Sequence, residues 1–169
     1  MNKLAEMVFL SEIALQSKIA RRAGDRLRAT HDHFDELEVW SSIQLILVAA
    51  ANVSKILWPH REFEARGEIL RKLLNVDQDN LLSARKFRNH FEHYDERIEN
   101  WFKEQPSAVY RDLDIDPFKS IWGITDTNKN RAYDPLKQTI TFRGESLDLA
   151  AVLDALEEIR LKCSPYILT

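Results

Sequence analysis

The sequence predicts a mainly α protein: a helical bundle of four to five helices, then a small β-hairpin and a final helix. Three observations carry this. Long segments repeat apolar residues every three or four positions, an uncharged apolar run spans Val39 to Val53, and the texture turns to turn-rich and then alternating only after Pro106.

The first helix is expected from Leu4 to about Leu27, with Leu4, Met7, Val8, Ser11, Ala14, Leu15 and Ile19 as its core stripe. The second is expected from about Glu36 to Leu57, with acids at its start and Pro59 to end it. Through "IQLILVAAANV" it is apolar nearly all round, so protein should surround it, in a bundle centre or a subunit interface. "EFEARGEILRKLLN" predicts a third, shorter helix, and "NVDQDN" offers N-caps for a fourth from about Asn80 to Glu104. In that fourth helix Ala84, Phe87, Phe91, Tyr94, Ile98 and Trp101 form the predicted core stripe. Farther on, "RAYDPLKQTITF" reads as two strands about an Asp-Pro turn. Ser146 is expected to cap a last helix striped by Leu149, Val152, Leu153, Leu156 and Ile159.

At 169 residues and 44% hydrophobic content the chain is predicted to be a single domain, 1–169, with a helical core over 1–104. Residues 105–169 are expected to pack on that core as loop, hairpin and helix. A net charge of −3 favours no global nucleic-acid or membrane field. The lone Cys163 and the acids Glu6 and Glu12 in the N-terminal apolar stretch point to a cytoplasmic, soluble chain with no membrane partner. With only four glycines, it offers no Gly-rich phosphate loop or nucleophile elbow, which argues against nucleotide-binding enzymes of those types.

Two clusters suggest binding without settling it. His31, Asp32, His33 and Asp35 carry metal-ligating groups, but their place before a helix favours capping, and neither metal nor cofactor is expected. The basic run Lys18, Arg21, Arg22, Arg26 and Arg28 suits either a phosphate backbone or, preferably, the acids of "DHFDELE".

The densest chemistry lies in "SARKFRNHFEHYDERIENW", residues 83 to 101. Lys86, Asn89, His93 and Arg97 fall away from the aromatic stripe, with Arg88 and His90 at its shoulders. Read alone, this is a solvated helix face with local ion pairs. Within it, "RNHFEH", Arg88 to His93, resembles the R-x-x-x-x-H motif of the HEPN domain superfamily, with a polar residue after the Arg. The overlapping frame Arg85 to His90 also fits, and Asn89 after Arg88 favours the first.

The resemblance covers residues 1 to 104. It implies a metal-independent endoribonuclease of toxin-antitoxin or phage-defence type, working as a homodimer in which Arg88 and His93 of two subunits line one cleft. An RNA substrate and a cognate antitoxin or other protein partner come with it. In that chemistry Arg88 would hold the phosphate and His93 would move protons for attack by a 2′-hydroxyl. Asn89, His90, Arg97 and Lys86 would support the site or bind RNA. The alternative is a non-catalytic helical dimerisation or interaction module that binds protein or RNA.

Overall fold

The computed structural model describes residues 2–31, 33, 35–84, 89, 91–104, 110–115 and 129–167. The chain is mainly α, with a small four-stranded sheet before the last helix. It forms two compact units, Met1–Arg85 with Ala151–Thr169, and Lys86–Ala150.

The first unit is helical. α1 (Lys3–Ala29) starts at Asn2, whose side chain accepts from the Ala5 amide at 2.7 Å. α2 (Glu36–Leu57) starts at Asp35, which accepts from the Glu38 amide at 3.1 Å, and ends just before Pro59. α3 (Glu64–Leu74) ends at Asn75 in the left-handed conformation, φ 48°, a usual way to close a helix. Arg71 of α3 is buried and donates to the carbonyl of Leu57, one of the carbonyls left open at the end of α2.

α1 and α2 pack along their lengths, but the buried stripe of α1 is not the one expected. Its core face is Leu10, Ile13, Ala14, Ser17, Ala20, Ala23, Gly24 and Leu27, whereas Leu4, Met7, Val8 and Leu15 are exposed. The helix carries two apolar stripes on opposite sides. The small residues of the buried one let neighbouring helices approach closely; at Gly24, a Cβ would lie 2.8 Å from Leu153 Cδ1.

α2 is also less fully enclosed than its composition suggests. Leu37, Ser41, Gln44, Val48 and Lys55 make a narrow exposed stripe, while Val39, Ile43, Ile46, Ala49, Val53 and Leu57 are fully buried. By length and composition α2 is long and apolar enough to cross a membrane, and most of its apolar stretch is buried inside the protein.

The second unit holds α4 (Tyr94–Glu104) and a sheet of order β1-β2-β3-β4: β1 (Asp114–Ile115), β2 (Arg131–Asp134), β3 (Thr139–Phe142) and β4 (Glu145–Asp148). β1 runs parallel to β2, and the other pairs are antiparallel. The predicted hairpin is β2–β3. Asp134 organises its turn by accepting from the Leu136 and Lys137 amides at 2.9 and 3.1 Å.

Ser146 does not cap the last helix: it sits in β4 opposite Thr141. The cause is the two-residue turn Arg143-Gly144, with φ of 47° and 82°, the pair of positive values that a tight hairpin turn needs. This turn folds "ESLD" back as a strand and delays α5 to Leu149–Cys163.

The predicted fourth helix likewise does not begin at Asn80. Asn80 accepts from the Leu82 amide at 3.0 Å and sets up a 3-10 turn, Leu81–Ser83, after which Ala84 is extended and exposed rather than in a core stripe. Phe87 lies outside the described residues, and Trp101 is the fully buried anchor of α4.

Candidate functional site

His93 is a single turn residue between the helical residues Asn89, Phe91 and Glu92 and the start of α4. Main-chain bonds continue through it: its amide donates to the Asn89 carbonyl at 3.0 Å, and its carbonyl accepts from the Arg97 amide at 3.1 Å. The imidazole is 53% exposed, and its Nδ1 lies 3.3 Å from Glu96 Oε1 one turn ahead. A carboxylate there accepts from the ring and orients it.

What holds His93 in place begins with its neighbour. Tyr94 donates its hydroxyl proton to Asp112 Oδ2 at 2.7 Å and lies 2.8 Å from the Tyr110 hydroxyl. A phenol has one proton to give, so Tyr110 is the donor to Tyr94. Asp112 also grips Arg131: Oδ1 accepts from the Arg131 amide at 3.0 Å and from Nε at 2.9 Å, and Oδ2 accepts from Nη2 at 2.6 Å. The Arg131 guanidinium lies 3.9 Å from the centroid of Tyr94 and 5.8 Å from that of Phe91. Phe91 and Tyr94 flank His93, so this network clamps the chain on both sides of the imidazole onto β2.

The electrostatics follow from the low solvent exposure of the pair. Burial alone would push the Asp112 carboxyl up, but the Arg131 and Tyr94 hydrogen bonds and the Arg131 charge hold it below its ordinary value. Burial would likewise lower Arg131, and its bonds and charge pairing with Asp112 raise it. Both phenols are raised, first by burial. Each group is therefore fixed in its neutral-pH state, which suits a scaffold more than a proton carrier.

Of the sequence-predicted residues, Asn89 is half-buried and shares only the main-chain bond with His93; the described partner of the imidazole is Glu96. Arg97 is not on the wet face. It is half-buried, and its carbonyl accepts from Arg143 Nη2 at 2.6 Å. Burial and the nearby Arg97 charge lower Arg143. Lys86, Arg88 and His90, with Arg85 of the alternative frame, lie outside the described residues.

The other clusters resolve simply. Asp35 caps α2 and Asp32 lies outside the described residues, among which no group of three His, Cys, Asp or Glu side chains is placed to hold a metal ion. Of the basic run, Arg26 pairs with Glu38 at 3.1 Å, an acid of "DHFDELE", and Arg28 with Asp25. Cys163 is fully buried, and burial pushes its thiol up to about 12.

Glu96 and the Asp112–Arg131–Tyr94–Tyr110 network are absent from the sequence reading. Glu96 follows His93 by three on a helix, a spacing that signals contact, while Asp112 and Arg131 are joined by strand pairing that no local pattern announces. Comparison of the chain with protein-family models, curated proteins and solved structures finds no match.

Proposed function

We propose that the chain is a HEPN-like, metal-independent endoribonuclease of toxin-antitoxin or phage-defence type, acting in the cytoplasm as a homodimer. The observation that carries this reading is His93 itself: an exposed imidazole in the R-x-x-x-x-H segment, oriented by Glu96 and braced by a half-buried network on its neighbours. Cleavage by 2′-hydroxyl attack needs a base, an acid and a cation at the phosphate. One His93 supplies one proton carrier per turnover, so a two-fold pair of chains supplies both, with Arg88 of each holding phosphate. Asn89 and Glu96 set the backbone and tautomer around the imidazole.

The test is cleavage of mixed single-stranded RNA in EDTA by wild type, Arg88→Ala and His93→Ala, with folding checked for each. Both substitutions are expected to remove cleavage; equal activity in all three would move the chemistry elsewhere.

A second reading, the non-catalytic interaction module, is favoured by one observation: α1 presents Leu4, Met7, Val8 and Leu15 to solvent on the side opposite its buried face. An inactive wild type would favour it.

A further inference from the structure

We infer that the outer face of α1 docks an acidic amphipathic helix of a partner protein, whether or not the chain cleaves RNA. Leu4, Val8, Ser11, Leu15, Lys18 and Arg22 succeed one another at spacings of four and three, the period at which a helix offers a seam to another helix. Leu4, Val8 and Leu15 are 71%, 59% and 50% exposed, so this seam is open. It lies opposite the core face built on Leu10, Ile13 and Ser17.

The seam changes character along the axis. Its first half is aliphatic. Its second half is a groove of about 450 Å³ lined by Leu15, Lys18, Ile19, Arg21, Arg22 and Asp25. Nearby cations are already engaged: Arg26 by Glu38, Arg28 by Asp25, and Arg21 by Glu157 at 4.0 Å. Lys18 and Arg22 are exposed and hold no ion pair among the described residues. The surface therefore offers aliphatic contacts at one end and two uncommitted positive charges at the other. Its complement is a helix with an apolar stripe and acids toward one end.

This pattern fits other occupants less well. A membrane-surface helix keeps its cations on a face flanking the apolar one, whereas Lys18 and Arg22 continue the apolar line itself and would be pressed into lipid. Single-stranded RNA is gripped by aromatic platforms, and the seam has none. A second copy laid antiparallel would put Lys18 and Arg22 against Val8 and Leu4, leaving both charges without acids.

The test uses the full chain and a fluorescent synthetic helix about three heptads long, leucine at its core positions and glutamate flanking one end. The comparison probes are the same peptide with glutamine for glutamate, a uridine oligonucleotide and vesicles of anionic phospholipid. The acidic peptide is expected to bind about two- to thirtyfold more tightly than its glutamine version, as two partly exposed ion pairs supply. Lys18→Glu with Arg22→Glu should remove that preference, and Leu15→Asp should weaken both peptides. All three residues are exposed, so helix content should hold.

Three results would overturn the proposal: equal binding of the two peptides, RNA or vesicle binding that depends on Lys18 and Arg22, or light scattering that shows self-association abolished by Leu15→Asp. RNA cleavage is read separately in every variant and is expected to be unchanged, so failure here is distinct from failure of the ribonuclease reading.

Discussion

Replacing Asp112 with Asn keeps the shape of the side chain and removes one charge from the clamp beside His93. The wild-type carboxylate accepts three bonds from Arg131, at 2.6 to 3.0 Å, and one from Tyr94 at 2.7 Å. If the Asn oxygen keeps the Arg131 amide and Nε, its NH₂ must face Arg131 Nη2, donor against donor. That loses a charge-assisted bond worth roughly 1.5–3 kcal/mol and takes the Asp112 charge away from the guanidinium. Removing one partner of a buried pair costs about 3–5 kcal/mol. With side chains 16% and 11% exposed, water relieves part of this, and about 3 kcal/mol is the expected loss.

Native-state hydrogen exchange of the β2 and β3 amides reads this directly. About 3 kcal/mol corresponds to a fall in protection of roughly a hundredfold, at about 1.4 kcal/mol per factor of ten. Replacing both Asp112 and Arg131 with apolar residues of similar size should recover part of the loss. Protection unchanged within about threefold in Asp112→Asn would refute the claim that the pair holds the start of α4 to the sheet.

Further outcomes follow from other sites. Because Asp112 is held below its ordinary value, near 3.9 when unfolded, its contribution is complete above about pH 4 and is lost as pH falls through the lower folded value. Acid titration of stability in Asp112→Asn should lack that part of the slope; an identical slope would contradict it. At Gly67 a Cβ would meet Pro59 Cδ at 2.5 Å and the Leu57 carbonyl oxygen at 2.6 Å, so Gly67→Ala should lower stability by about 1–2 kcal/mol despite a better helix propensity. Gly24→Ala meets the movable side-chain ends of Leu153, at 2.8 Å, and Arg28, at 3.7 Å, so it should cost less than Gly67→Ala, and denaturant midpoints compare the two. Cys163 should resist alkylation at pH 8 in the native chain and react once denaturant is added; rapid native labelling would refute its burial.

The helices of the first unit were legible because their caps and periodicities are local: Asp35, Pro59 and the spacing within α2 place that helix unaided. The face of α1 was not, since two apolar stripes compete and only the partner helices decide between them. Leu4 and Val8 look more core-like than Ala20 and Ala23, yet small residues win where backbones approach. β4 was hidden because "ESLD" resembles a helix start unless Arg143-Gly144 is read as a hairpin turn. At the site, His93 and its exposure were readable from helical phase, whereas the half-burial of Arg97 was not, since Arg143, which bonds its main-chain carbonyl, arrives from a turn far along the chain.

The most direct test of the ribonuclease reading is the chemistry of the RNA ends produced in EDTA by wild type and by His93→Ala. The wild type should leave 2′,3′-cyclic phosphate ends and the variant should not cleave. Cleavage by His93→Ala at the wild-type rate, or wild-type products with 3′-hydroxyl ends, would contradict it.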